Sequence, residues 1–389
     1  MTDSRVIGVG PLSFDDVVAI ARHGEQVRLG DDAVAAIERA RAVVEDLAAQ
    51  PTPAYGISTG FGALATRHIP TELRDQLQTS LVRSHAAGTG PEVEREVVRG
   101  LMLLRLSTLT TGHTGIRLET AQLIAALLNA GITPVVREYG SLGCSGDLAP
   151  LAHCALALLG EGEVRDADGV LKPAAQALAE AGLSPATLHA KEGLALINGT
   201  DGMTSMLVLA LRDLDLLIRT ADIAAAFSVE GQLGTDRVFA PELQAIRPHP
   251  GQAASAANLI RVMADSQIVA SHRTGDCNRV QDAYSLRCSP QVHGAARDTF
   301  THCATVAERE LASAIDNPVV LPDEGRVESN GNFHGAPFAY VLDFAAIAIA
   351  DLAREVTAGV VQRIAVKGDE LQITYKPEYK STSAISRKE

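Results

Sequence analysis

Two long apolar segments constrain the fold of this chain most strongly. Residues 203–230 and 337–366 place apolar side chains at three- and four-residue spacing, which is typical of helices that pack along one face. Charged residues interrupt both segments, namely Arg212, Asp213, Asp215, Arg219 and Asp222 in the first and Asp343, Asp351, Arg354 and Glu355 in the second. A membrane span of about 20 residues tolerates few such charges. We therefore predict long helices of a soluble protein with no membrane partner.

Helical spacing also covers most of the remaining chain. It predicts helices near residues 31–49, 92–110, 116–130, 148–160, 203–230, 253–271, 294–315 and 336–356. Short strands are predicted at VIGVG near the start, at TPVVRE (133–138) and at VRDADGVL (164–171), where DADG suggests a turn between two strands. The expected fold is mainly α. An N-terminal domain (1–200) with irregular loops and short strands precedes a bundle of long helices (201–356).

The tail, residues 357–389, differs from the rest in composition. Four of the six lysines in the chain lie in its last 23 residues, and the sequence alternates like a strand before it ends like a disordered arm. So sharp a change suggests a separate origin, such as a frameshifted end or a fused segment. An ordinary divergent C-terminus is the alternative.

Charge and cysteine content narrow the functional class. Asp and Glu number 47 against 34 Lys and Arg, a net charge of −13, which argues against nonspecific binding to nucleic acid. The five cysteines form no CxxC pair, so neither a disulfide framework nor a structural metal site is expected. The start, MTDSRVIGVG, lacks the basic and apolar regions of a secretory signal. Together these features favour a cytoplasmic protein.

The stretch GSLGCSGDLAP (140–150) is the strongest candidate for chemistry. It lacks the last glycine position of a lipase-type nucleophile motif and the lysine of a phosphate loop. One interpretation is a helix-capping turn, with Ser145 or Asp147 as N-cap and Pro150 in the first turn. The other is chemical. Attack of the Gly146 amide nitrogen on the Cys144 carbonyl would close a five-membered ring, and loss of water from Ser145 would then leave a conjugated double bond. Such an electrophile would be stabilised by the helix N-terminus that follows.

Other polar motifs each allow a structural and a functional interpretation. AYGISTGFG (54–62) contains Tyr55 among glycines, and its GxGxxA pattern is a weak match to a dinucleotide fingerprint. Ser84 and His85 end a predicted helix, where a lone histidine is more often structural. INGT (197–200) is by default a turn. QDAYSLRC (281–288) spaces Gln281, Tyr284 and Arg287 three residues apart, which on a helix gives one face. That face is either simply exposed or offers a carboxylate-binding arginine and a phenol.

Taken together, the motifs resemble the histidine-specific branch of the aromatic amino acid ammonia-lyase family. YGISTGFG, SLVRSHAAGTG, GSLGCSGDLAPLAH, LINGT, VQDAYSLRCSPQV, SAIDNPVV and SNGNFHG occur in family order over roughly residues 7–352. The resemblance implies that Cys144, Ser145 and Gly146 form the prosthetic group 4-methylideneimidazol-5-one (MIO) autocatalytically, with Ser145 as its dehydroalanine unit. No external cofactor, metal, nicotinamide or pyridoxal is then required.

The resemblance also implies roles for the remaining motif residues. Tyr55 would remove the β-proton and Arg287 would bind the substrate carboxylate. Residues that position the substrate and the prosthetic group would be Asn198, Gln281 and Tyr284, with Phe333 lining the pocket. Ser84 and His85 lie where the family selects its substrate, and this pair points to L-histidine. The expected reaction is deamination of L-histidine to trans-urocanate and ammonia, the first step of histidine degradation, by a homotetramer whose sites borrow residues from neighbouring subunits.

The resemblance stops near residue 352, whereas family members continue with further bundle helices that carry an active-site glutamate. From this we expect weak or absent turnover by the 389-residue chain. Two other functions stay open: an MIO-dependent lyase or aminomutase acting on Tyr or Phe, and a catalytically inactive helical scaffold.

Overall fold

The structure is a computed structural model that describes residues 4–62, 65–271, 273, 279–358, 361–367 and 370–375. The helices in the described residues are α1 (Phe14–Ala21), α2 (Asp31–Ala49), α3 (Arg74–His85), α4 (Arg95–Thr110), α5 (Leu118–Asn129), α6 (Leu148–Leu158), α7 (Ala174–Glu180), α8 (Glu192–Ile197), α9 (Asp201–Gly231), α10 (Pro241–Ala245), α11 (Pro250–Val262), α12 (Gln267–Ser271), α13 (Tyr284–Arg287), α14 (Ser289–Leu311) and α15 (Ala336–Ala358). Short 3₁₀ helices span Thr71–Leu73, Arg237–Phe239 and Pro322–Glu324.

The strands are short and form small sheets. They are β1 (Arg5–Ile7), β2 (Val27–Leu29), β3 (Thr89–Glu92), β4 (Thr133–Pro134), β5 (Arg137–Tyr139), β6 (Glu163–Arg165), β7 (Leu171–Pro173), β8 (Val319–Leu321), β9 (Arg326–Glu328), β10 (Val361–Lys367) and β11 (Glu370–Tyr375). β1 and β2 are parallel, while the pairs β3–β5, β8–β9 and β10–β11 and the three-stranded sheet β4–β6–β7 are antiparallel.

The predicted mainly α fold is confirmed. The predicted turn at DADG joins β6 to β7, with Val164 paired to Lys172. The single helix predicted over 253–271 is wrong in one respect, because the chain breaks between α11 and α12. Asp265 there has φ +58°, a left-handed conformation that cannot continue a right-handed helix. Apolar spacing carried through the break, so the sequence pattern alone did not reveal it.

The chain divides into two units. The first comprises residues 1–210 and 305–340 and contains α1 to α8 with β1 to β9. In it, the guanidinium of Arg99 on α4 is buried and donates to the carbonyl groups of Ile20 and Ala21 in α1 (2.9 and 3.2 Å) and of Leu128 in α5 (3.0 Å). Carbonyl groups in the last turn of a helix lack partners within the helix, so this one side chain satisfies two helix ends.

The second unit comprises residues 211–304 with 341 onward. Its apolar core combines side chains of the second half of α9, of the 3₁₀ helix Arg237–Phe239, of α11 with its C-cap residue, and of α12 and α13. They are Ala226, Val229, Phe239, Ala256, Leu259, Met263, Val269 and Leu286. Asp222 of α9 is buried and accepts hydrogen bonds from Asn258 of α11 (2.7 Å) and Arg297 of α14 (2.5 Å), and lies 2.8 Å from His293 Nδ1. This carboxylate therefore fixes α9, α11 and α14 together.

Two helical segments in the described residues are long and apolar enough to cross a membrane by length and composition. Each segment contains an 18-residue stretch of high mean hydropathy. That stretch is 83% buried within the protein in Glu192–Gly231, as in the core helix of a soluble fold, and 22% buried in Ala336–Ala353. In the tail, the strand-like alternation corresponds to the hairpin β10–β11. Residues 376–389, for which a disordered arm was predicted, lie outside the described residues.

Candidate active site

The loop of residues 140–147 is held in a tight, left-handed turn. Gly143 and Gly146 have φ of +67° and +74°, which residues with a Cβ rarely adopt. The backbone N–H of Cys144 donates to Leu142 O (2.7 Å) and that of Gly146 to Gly143 O (3.2 Å). Cys144 is exposed, Ser145 is half-buried and Gly146 is buried, so the tripeptide runs from the surface of this unit into its interior.

Two other motifs enclose the turn. A Cβ on Gly146 would lie 2.4 Å from the carbonyl oxygen of Gly199 and 3.2 Å from that of Phe333. The N–H of Gly335 donates to Gly143 O at 2.8 Å. Only glycine fits position 146, because a side chain would collide with the backbone of INGT. The backbone groups of Gly199, Phe333 and Gly335 thus form a cradle around the turn. This cradle suits a tripeptide in which the Gly146 nitrogen has to approach the Cys144 carbonyl, so these residues fit the formation of MIO.

Asp147 is the residue at which the loop turns into helix α6. In one interpretation, the sequence predicts Ser145 or Asp147 as the N-cap residue of this helix. In the structure the N-cap residue of α6 is Asp147, and Pro150 lies in the first turn. Its carboxylate does not cap α6. It accepts instead from the Ser141 hydroxyl (2.7 Å) and from the backbone N–H of Met203 in the first turn of α9 (3.0 Å). Burial raises the pKa of Asp147 to about 6.

Asn198 directly precedes Gly199 in the chain and is hydrogen-bonded to the segment SAIDNP. Its side-chain amide donates to Asn317 O (3.0 Å), and the Asn317 amide oxygen accepts from the N–H of Asn330 (3.0 Å) in SNGNFHG. Asn198 is 6% exposed, so its amide is held rigidly in the interior. Three of the predicted motifs are thus joined by hydrogen bonds around the loop.

Tyr55 belongs to a glycine-rich turn that abuts the same segment. A Cβ on Gly56 would lie 3.2 Å from Pro318 and 3.1 Å from Leu194. The Tyr55 hydroxyl is 3.4 Å from the N–H of Gly62, and its ring meets Phe61 edge to face at 6.4 Å. Tyr55 is half-buried.

Ser84 and His85 end α3, as the sequence predicted. His85 Nδ1 lies 2.9 Å from both Leu81 O and the Ser84 hydroxyl, which also donates to Leu81 O at 2.8 Å. Because Nδ1 bonds to the helix end, Nε2 is the ring nitrogen left to meet a ligand. Three residues further on, the Gly88 α-carbon lies 3.2 Å from the place that a Cβ on Gly140 would occupy.

Gln281, Tyr284 and Arg287 belong to the second unit. The expectation that all three share one helix face is wrong for Gln281, because α13 begins at Tyr284. The preceding Asp282 is bound in a non-helical turn, since its carboxylate accepts from Thr235 N (2.7 Å) and from Arg279 (2.9 Å). The Arg287 guanidinium stacks over the Tyr284 ring, 4.5 Å from the ring centroid, and donates to Asp282 O (3.0 Å).

Similarity to known proteins agrees with this arrangement. The model of a family described as "Aromatic amino acid lyase" matches residues 12–364. The chain belongs to the aromatic amino acid lyase family. Histidine ammonia-lyase of Streptomyces avermitilis is 65% identical over 347 residues, which are 89% of this chain and 67% of that protein. This chain thus spans about two thirds of the length of the curated relatives it matches.

Solved structures of other aromatic amino acid lyase relatives share the fold. Histidine ammonia-lyase from Trypanosoma cruzi is 36% identical with a TM-score of 0.82, over 91% of this chain and 66% of that one. Tyrosine aminomutase from Streptomyces globisporus is also 36% identical, with a TM-score of 0.84, over 91% of this chain and 69% of that one.

A buried charge network in this family member was not predicted from its sequence. Arg105 donates to Asn198 O and to Ile315 O, both at 2.8 Å, and lies 3.5 Å from the Asp201 carboxylate. Lys191 and Asp316 form a fully buried ion pair. Burial lowers the pKa of Lys191 and raises that of Asp316. These charged residues lie far apart in the sequence, and no spacing signal joins them.

Metal ligation has no support among the residues that the structure describes. Within those ranges, no group of three or more His, Cys, Asp or Glu side chains lies close enough together to hold an ion.

Proposed function

We propose that this chain deaminates L-histidine to trans-urocanate and ammonia through MIO formed from Cys144, Ser145 and Gly146. The observation that carries the proposal is the cradle around Gly146. It holds the tripeptide in a left-handed turn against the Gly199 and Phe333 carbonyls, in a chain whose family is defined by this chemistry.

Formation of the prosthetic group uses only atoms of the loop. The Gly146 nitrogen bonds to the Cys144 carbonyl carbon, and one water leaves. Ser145 then loses its hydroxyl and α-hydrogen as a second water. The turn favours ring closure because the chain is already folded back on itself between Gly143 and Gly146. Less entropy is therefore lost when the Gly146 nitrogen meets the Cys144 carbonyl carbon. The N-terminus of α6, directly behind the loop, favours negative charge developing on the ring.

Once formed, MIO supplies an electrophile that makes the amine of the substrate a better leaving group. The residues of the chain would bind the substrate and move its protons. Tyr55 Oη would accept the β-proton. Arg287 would bind the substrate carboxylate in a bidentate manner, and Asn198, Gln281 and Tyr284 would orient substrate and prosthetic group, with Phe333 lining the pocket. We assign these roles from the motifs and propose that a homotetramer in the cytoplasm assembles each complete site.

The choice of L-histidine is supported by Ser84 and His85 and by the names of the curated relatives. His85 Nε2 is available to bond an imidazole, because Nδ1 bonds to Leu81 O. A tyrosine or phenylalanine lyase or aminomutase is the alternative, since structures with such names share the fold.

Domain roles follow from the same assignment. We propose that residues 1–200 carry the MIO loop, that residues 201–356 supply the long helices that assemble the oligomer, and that residues 357–389 are a tail without a catalytic role.

Intact mass tests the proposal independently of turnover. Loss of two waters lowers the mass by about 36 Da, and borohydride then adds hydrogen to the electrophile. Ser145→Ala should abolish this loss, whereas Ser184→Ala, at an exposed serine, should retain it. An unmodified peptide 140–150 in assembled wild-type protein would overturn the proposal and favour an inactive scaffold. Urocanate absorbance with L-histidine, measured against L-tyrosine and L-phenylalanine, decides the substrate.

A further inference from the structure

His153 occupies an unassigned position between the MIO loop and the end of α3. It lies on α6, which begins directly after the loop, and its Nε2 accepts a hydrogen bond from the backbone N–H of Gly88 at 3.1 Å. Because Nε2 is an acceptor here, the proton of the neutral ring is on Nδ1. Burial and the charge of Arg137 lower the pKa of His153, which keeps the ring neutral and able to accept.

Gly88 is packed closely on both sides. A Cβ at this position would lie 3.1 Å from His153 Nε2 and 3.3 Å from the Cβ of Arg137 on β5. On its other side, Gly140 at the start of the loop approaches the Gly88 α-carbon. The segment between Gly88 and α3 is short and turned, since the N–H of Ala87 donates to His85 O at 2.8 Å. A shift of Gly88 would therefore move His85.

We propose that His153 is a positioning residue for substrate selection. By accepting the Gly88 N–H it holds the end of α3, with Ser84 and His85, in place relative to the loop of Cys144, Ser145 and Gly146. The hydrogen bond joins α6 to the segment that follows α3, and the loop before α6 contacts the same segment through Gly140. This role rests on the proposed function, because it concerns the site that would bind L-histidine.

Two substitutions separate the hydrogen bond from packing. His153→Leu removes the acceptor and keeps an apolar side chain. His153→Gln keeps an acceptor, because the glutamine amide oxygen reaches about as far from the backbone as Nε2 does. His113→Leu is the control, since it also removes one hydrogen bond between a histidine ring and the backbone of the first unit: His113 Nδ1 donates to Val320 O (2.9 Å), away from Gly88.

Two readouts on the full-length chain test the role. Hydrogen exchange followed by mass spectrometry reports the Gly88 amide, and urocanate formation gives KM and kcat for L-histidine. For His153→Leu we expect faster exchange in the peptide that contains Gly88 and a KM raised about three- to tenfold, with kcat changed by less than about twofold, as for one lost hydrogen bond. His153→Gln should restore KM to within about twofold of wild type, and His113→Leu should leave it unchanged.

The outcomes distinguish the role from the function on which it rests. Wild-type turnover with an unchanged KM in His153→Leu refutes the positioning role alone, and so does an equal rise in KM in His113→Leu. A wild-type chain that does not bind L-histidine and whose peptide 140–150 is unmodified refutes the proposed function and this role with it. If the wild-type chain binds L-histidine but turns it over too weakly for a KM, the Kd for L-histidine replaces KM in the same comparison of variants. Faster exchange together with a raised KM that glutamine rescues supports the role.

Discussion

Replacing Gly146 by alanine tests the cradle around the tripeptide. The residue has φ +74°, and a left-handed conformation costs an alanine about 1–2 kcal/mol. The new Cβ would also lie 2.4 Å from Gly199 O, a contact that forces the backbone to move at a typical cost of about 1–3 kcal/mol. We therefore expect Gly146→Ala to lower the free energy of unfolding by about 2–5 kcal/mol. We also expect it to abolish the mass loss of about 36 Da.

Gly169→Ala is the matched control, because Gly169 has φ +80° and a Cβ there would meet nothing within 4 Å. The free energy of unfolding of Gly169→Ala should fall only by the cost of the left-handed conformation, about 1–2 kcal/mol, and the protein should still form MIO. Urea unfolding followed by far-ultraviolet circular dichroism gives the stability difference, and intact mass gives the modification. Equal destabilisation in the two variants, or an unimpaired mass loss in Gly146→Ala, would show that the carbonyl cradle does not hold the tripeptide.

Three further predictions concern the buried charges. Lys191→Met should destabilise the fold by about 3–5 kcal/mol because it leaves the buried Asp316 without its ion-pair partner. Combining Lys191→Met with Asp316→Leu should recover most of that loss in urea unfolding. Burial raises the pKa of Asp147 from 3.8 to about 6. The contribution of this carboxyl group to stability is therefore complete below its ordinary pKa and declines by about 3 kcal/mol as the pH rises through about 6. A plot of urea midpoint against pH should be flatter for Asp147→Asn than for wild type, and parallel curves would contradict this. Arg99→Met should cost about 2–4 kcal/mol, since it removes the guanidinium hydrogen bonds to three carbonyl groups and leaves those of Ile20 and Ala21 unpaired. A loss below about 1 kcal/mol would mean that water replaces the guanidinium.

Much of the fold was predictable because helix periodicity is a local property. The apolar residues of α2, α5 and α9 recur at the spacing of one face, and this spacing follows from backbone geometry alone. The break between α11 and α12 was missed, since Asp265 in a left-handed conformation leaves no mark on the apolar pattern.

The candidate site divides in the same way. The sequence predicts Cys144, Ser145 and Gly146 as the chemical centre, because formation of MIO needs that tripeptide in covalent sequence. Their roles and those of the other motif residues stay predictions until the variants are measured.

The sequence by itself determined most of the long helices and the hairpin at DADG, and it predicts the chemistry of the tripeptide, since each depends on neighbours within a few residues. Only the tertiary structure decided that the Gly199 and Phe333 carbonyls enclose Gly146, that Asp147 binds α9 and not its own helix, and that His153 accepts the Gly88 N–H. These contacts join residues from 53 to 187 positions apart. The strength of these contacts depends on burial and on the distance between the packed groups, and no local sequence pattern encodes either.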